Sequence, residues 1–138
     1  MTKQEKIAEI NSRRGFNMHN GIKVADLDGE HCTIVAELRA ESMNPFGMAH
    51  GGFVYSLCDV AAGVVVSERG CRGVTLSGNM FYLRPSTGKM LRAEGKIIKL
   101  GKTIAVVETS VYNDEGVQTA HGEFQIYISE IIKKEETV

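Results

Sequence analysis

The chain has 138 residues, 43% hydrophobic and 24% charged, which suits one domain around one core. A formal net charge of −1 gives no electrostatic case for nucleic acid or an acidic membrane. Its three cysteines, Cys32, Cys58 and Cys71, are odd in number and lack C-x-x-C spacing, which argues against a disulfide framework and a zinc ribbon.

Residues 3–13 carry Ile7, Ala8 and Ile10 on one side and predict a short amphipathic N-terminal helix within residues 1–14. This start lacks the apolar stretch of a signal peptide, so the expected location is cytoplasmic. A loop is expected over 15–20. Residues 22–27 and 31–40 read as a hairpin with Asp28-Gly29 as its turn, and Cys32, Ile34, Ala36 and Leu38 point inward.

The stretch 44–70 organises the rest. Asn44, Pro45 and Gly47 form a turn. From Gly51 a helix follows, with Phe53, Val54, Leu57, Cys58, Ala61, Ala62, Val64 and Val65 spread around most of its circumference, so burial nearly all round is expected. Glu68 and Arg69 are expected in water, and Gly70 is the expected C-terminal stop. The apolar run 60–66, interrupted by Gly63, is far too short to span a membrane.

Two features conflict with a merely structural helix. His50-Gly51-Gly52 opens it with residues that cost helix stability, and Asp59 sets a carboxylate in its apolar middle. Glycines at a helix start leave backbone N–H groups uncovered at the positive end of the helix dipole, a place to hold a developing oxyanion. A partly desolvated Asp is a candidate nucleophile or general base. Eight residues of helix separate Gly51 from Asp59 by roughly 12 Å, too far to serve one carbonyl together. If the two cooperate, Gly51 of one chain meets Asp59 of another, across a two-fold axis with two equal sites.

After Gly70 the chain reads as strands over 74–83, 90–100, 103–112 and 117–129. They are joined by the Arg84-Pro85-Ser86 break and by turns at Gly101-Lys102 and 113–116. A solvated tail is expected over 130–138. The expected class is α+β, one domain over 1–138, with a mostly antiparallel sheet wrapped around one long central helix.

This order, with the stretch N-x-x-G-x-x-H-G-G-x-x-x-x-x-x-D from Asn44 to Asp59, resembles the hotdog-fold thioesterases, in particular the phenylacetate-pathway (PaaI-like) branch. Gly73-Val74-Thr75, Tyr82-Leu83-Arg84-Pro85 and the Gly101-Lys102-Thr103 turn strengthen the resemblance, which spans about Ile22 to Ser129. It implies hydrolysis of an acyl-CoA thioester to free acid and CoA, without a metal or redox cofactor. It also implies a homodimer joined sheet edge to sheet edge, often paired again into a tetramer.

Carried onto this chain, the resemblance implies that the Gly51 N–H polarises the thioester carbonyl, with His50 and Asn44 orienting the thioester or the water. Asp59 of the facing chain attacks or activates water, and Thr75 of that chain holds the water. Gly52, Arg84 and Lys102 are candidate substrate-binding residues, with Lys89 and Lys99 further candidates for the CoA phosphates. Phe53, Tyr55, Leu57, Phe81 and Tyr82 are available to line an acyl pocket. No role is expected for His121, and the cysteines are expected in the core. Two other readings stand beside hydrolysis: a module that binds acyl-CoA without cleaving it, and a hotdog hydratase or dehydratase. The nine-residue spacing of His50 and Asp59 disfavours the last.

Overall fold

The computed structural model describes residues 1–132. Helix α1 spans Lys3–Ser12 and a single turn, α2, spans Phe16–His19; strands β1 (Ile22–Leu27) and β2 (His31–Glu37) form the first hairpin. A 3-10 turn at Ala40–Ser42 leads to the central helix α3 (Gly51–Ser67), followed by β3 (Cys71–Tyr82), β4 (Met90–Leu100), β5 (Ile104–Tyr112) and β6 (Gln118–Ile131). The six strands make one antiparallel sheet in the order β1-β2-β4-β5-β6-β3, so β1 and β3 are its edges.

Helix α3 packs against β2, β3, β4, β5 and β6. Its Leu57, Ala61 and Val65 are fully buried, together with Ile34, Leu91, Val107 and Phe124 from the sheet. Truncating Leu57 to alanine in such a setting costs about 2–5 kcal/mol. The helix backbone comes close to β4, where a Cβ added to Gly95 would lie 3.2 Å from the Ala61 Cβ and the Ala61 carbonyl oxygen. Gly70 ends the helix region with φ +76° and its N–H on the Ser67 carbonyl.

The sheet-around-helix expectation holds, with local corrections. The loop expected over 15–20 contains the helical turn α2. Strand β2 stops at Glu37 because the chain turns at Arg39 into the 3-10 segment. Strand β3 starts at Cys71, three residues early, because it pairs with a longer β6. Glu130 and Ile131, expected in the tail, continue β6 opposite Arg72 and Cys71; residues 133–138 of that tail lie outside the described residues.

Helix α3 is not buried all round: Gly52, Gly63 and Ser67 form an exposed stripe flanked by half-buried Ser56, Asp59 and Val60. Asp59 therefore borders this open stripe rather than sitting in the apolar middle. Glu68, expected in water, is half-buried and pairs with Lys6 of α1 at 3.3 Å.

Candidate active site

The start of α3 is tied down on every side but one. The Asn44 side chain accepts hydrogen bonds from the Phe46 and Met48 amides at 2.9 and 3.1 Å, closing the turn that leads in. The His50 N–H donates to the Ser42 carbonyl at 2.8 Å, and the His50 carbonyl accepts from Phe53 and Val54 at 2.9 and 3.1 Å. His50 is the N-cap residue: its Nδ1 accepts the Gly52 N–H at 2.8 Å. The imidazole proton is therefore on Nε2. The Gly51 carbonyl accepts the Tyr82 hydroxyl at 2.8 Å. The Gly51 N–H alone in this turn has no acceptor among the described residues, and it lies at the positive end of a 17-residue helix.

Gly51 opens on a cavity of about 340 Å³ whose lining includes Asn44, Tyr82, Leu83, Arg84 and Ser86. Asn44, Gly51 and Arg84 thus share one pocket. Arg84 spends one N–H on the Gln118 carbonyl at 2.7 Å. Gly52 is adjacent, but its amide is used by the His50 cap. Burial pushes the Tyr82 hydroxyl above its ordinary pKa, with Cys58 and Tyr55 adding to the effect.

The second cluster lies farther along the helix. The Thr75 hydroxyl donates to Asp59 Oδ1 at 2.5 Å. The hydroxyl fixes the carboxylate, and the Thr75 oxygen remains free to accept from a water. Gly51 and Asp59 are on one straight element, so the roughly 12 Å between them stands. Within one chain the two clusters do not converge.

Lys102 lines no part of the Gly51 cavity. Its turn lies beside Ile128, whose N–H bonds Thr103 and which pairs with Gly73 near the start of β3, whereas Arg84 follows the end of β3. Lys89 and Lys99 are exposed and line no part of the Gly51 cavity. Of the expected acyl-pocket residues, Phe53 and Leu57 are used by the protein's own core, Tyr55 packs edge-on against Phe124, and Phe81 and Tyr82 are exposed.

His121 pairs with Ser110 and Glu108 at 3.4 and 3.6 Å and touches neither cluster. Burial pushes the Cys32 thiol to about 12 and the Cys58 thiol to about 11, so both stay protonated at neutral pH. Among the described residues no three of His, Cys, Asp or Glu gather as metal ligands do. The Tyr82 bond to Gly51 was not visible in the sequence, because only the β3–β6 register brings position 82 to the helix start.

A model of the thioesterase superfamily matches residues 46–120. The acyl-coenzyme A thioesterase PaaI of Escherichia coli K12 is 25% identical over 96 residues, which is 69% of this chain and 69% of that protein. A solved structure of E. coli PaaI, from the phenylacetic acid degradation operon, shares the fold with a TM-score of 0.86 at 20% identity, over 94% of this chain and 96% of that one.

A hypothetical thioesterase from Streptococcus pneumoniae TIGR4, solved with coenzyme A, has a TM-score of 0.77 at 26% identity, over 81% of this chain and 88% of that one. That thioesterase has also been solved with an aspartate replaced by alanine and with a threonine replaced by alanine, the two positions sixteen residues apart. With more than half of its length matched, the chain belongs to the thioesterase superfamily and is a thioester hydrolase.

Proposed function

We propose that the protein hydrolyses acyl-CoA thioesters at two equal sites in a homodimer, without a metal or redox cofactor. The observation that carries this reading is the Gly51 N–H, without an acceptor among the described residues, at the start of a helix whose neighbouring peptide groups are all engaged. A donor held in that way suits the oxygen of a thioester carbonyl as it gains charge. The Asp59–Thr75 pair supplies the other half. Its sixteen-residue spacing equals that of the two residues replaced in the pneumococcal thioesterase solved with coenzyme A.

In the dimer, the pair of one chain faces Gly51 of the other. Asp59 takes a proton from a water seated against Thr75, and the water oxygen bonds to the carbonyl carbon. The Gly51 N–H stabilises the oxyanion. The carbon–sulfur bond then breaks, the CoA thiolate takes up the proton, and the free acid remains. Asn44 and Arg84 line the cavity on the CoA side; His50 serves by capping the turn. No described helix is long and apolar enough to cross a membrane. The reading places the enzyme in the cytoplasm with its CoA esters, and pairing of two dimers is its natural extension.

The test is thiol release from phenylacetyl-, benzoyl-, hexanoyl- and palmitoyl-CoA by the wild type and by Asp59→Asn. Cys32, Cys58 and Cys71 are all buried, which limits the protein's own background in a colorimetric thiol assay. The expected outcome is turnover of at least one ester and a loss of about 10²–10⁴-fold in kcat in the variant, with folding and dimerisation intact. Bound ester without thiol release would make the protein a binding module. Wild-type rates in Asp59→Asn would remove Asp59 from the mechanism.

A further inference from the structure

Gly51 and Gly52 have the least intrinsic stiffness of any residue pair, yet an oxyanion donor works only if its direction is set before the charge arrives. Something outside the helix must supply that stiffness. Tyr82, at the end of β3 and opposite Ala120 in β6, comes over the first turn of α3. Its ring and hydroxyl lie 3.7 Å from where a Gly51 Cβ would stand, and the hydroxyl donates to the Gly51 carbonyl at 2.8 Å. That carbonyl and the Gly52 N–H belong to one peptide group, and the Gly52 N–H donates to His50 Nδ1 at 2.8 Å.

We propose that Tyr82 is a positioning residue for the Gly51 amide: its hydroxyl and the His50 imidazole hold the Gly51–Gly52 peptide from opposite ends. The inference rests on the reading of Gly51 as the oxyanion donor. The three groups form one directed chain, from phenol O–H to peptide carbonyl and from peptide N–H to imidazole nitrogen. Each bond polarises the peptide in the sense that strengthens the other. The peptide on the other side of Gly51 is held through the His50 carbonyl by Phe53 and Val54. The Gly51 N–H lies in this His50–Gly51 plane. The Gly51–Gly52 plane, whose carbonyl also takes the helical N–H of Tyr55, is the one Tyr82 reaches from the sheet, and holding both planes fixes the Gly51 dihedrals between them. A phenol is protonated at neutral pH, and partial desolvation raises the Tyr82 pKa further, so the hydroxyl remains a donor across the neutral range.

Tyr82→Phe keeps the ring and deletes the hydroxyl. With the CoA ester that the wild type hydrolyses fastest among the four named above, kcat falls about tenfold while KM stays within about twofold, because a misdirected donor is felt in the transition state and not in ground-state binding. In amide hydrogen exchange the wild-type Gly52 N–H is protected although it lies on an exposed first turn. In Tyr82→Phe it exchanges about tenfold faster, and the Gly51 N–H exchanges rapidly in both.

A raised KM with unchanged kcat would make Tyr82 a wall of the acyl pocket and overturn the inference, as would kcat and KM both at wild-type values. A Gly52 amide exchanging at the open-chain rate in the wild type would overturn it without any variant. Absence of thiol release by the wild type strikes the thioesterase reading alone, since the exchange experiment reads the peptide clamp independently of activity.

Discussion

The two edges of the sheet are built in opposite ways. At β1 the edge is closed. The Asn11 side chain donates to the Val24 carbonyl at 2.9 Å and accepts from the Val24 N–H at 2.8 Å, standing in for a neighbouring strand. Helix α1 packs alongside, the strand has only 6 residues, and a register shift between Val24 and Asp26 bends it. These are the devices by which proteins blunt an edge.

At β3 register shifts also occur, at Arg72/Gly73 and Thr75/Ser77, but among the described residues no side chain stands in for a neighbouring strand and the strand is not short. The strand has 12 residues, with Val74 and Leu76 62% and 59% exposed and Phe81 and Tyr82 also open. Beside it runs the open small-residue stripe of α3, with Asp59 at its border. A chain that closes one edge and leaves the longer, more apolar one bare suits the homodimer proposed above, with the bare edge as the place for the second copy. That copy is what the 12 Å gap between Gly51 and Asp59 requires.

The largest expected effect comes from closing the bare edge. Leu76→Lys places a charge on β3 where the side chain is already solvated, so the single chain should lose little stability. Sedimentation should show a monomer, and thiol release should fall by about 10³-fold or more, because each Gly51 loses its carboxylate. A fully active monomer would break the comparison between the two edges.

Next in size is a change at the donor itself. Proline is tolerated at the first position of a helix, where its missing N–H has no helical partner. His50, with ψ 137°, already has the extended conformation that a following proline demands. Gly51→Pro should therefore fold and dimerise while kcat falls about 10²–10³-fold. Mixing it with Asp59→Asn and allowing exchange of subunits sharpens the point. Half of the random dimers would hold one intact site, so about a quarter of the wild-type rate should return. If the mixture stays as inactive as its parts, the site is not shared.

How far the sequence carried this picture depends on how local each feature is. The first hairpin, the span of α3 and the Gly70 stop follow from periodicity and turn chemistry within a few residues, and they were legible. So was the distance between Gly51 and Asp59, since the helix rise is fixed. Four residues of α2 are too short for any period to show.

Strand β3 resists reading for a different reason. A register shift between Thr75 and Ser77 breaks the alternation, so Thr75 and Gly78, three apart, both face the helix, one against Asp59 and the other under Tyr55. A two-residue period cannot find that. The His50 cap, the Asn11 strand mimic and the Tyr82 clamp all depend on partners brought together by the tertiary fold, and single residues of these types carry no such signal.

The smallest effect is expected at the closed edge, and it should be one of stability alone. Asn11→Ala removes both bonds to Val24 and leaves a half-covered N–H and C=O on the edge of the sheet. Because water reaches part of this site, the cost should be about 1–2 kcal/mol, below that of a fully buried pair. For a chain of this size that corresponds to a drop of roughly 3–10 °C in Tm. Dimer mass and kcat should not move, since four strands lie between β1 and β3 and β1 is too short to replace it. An Asn11→Ala protein that formed larger assemblies at neutral pH would mean that the asparagine guards the edge against pairing as well as anchoring α1. The two edges would then differ by this one side chain more than by length.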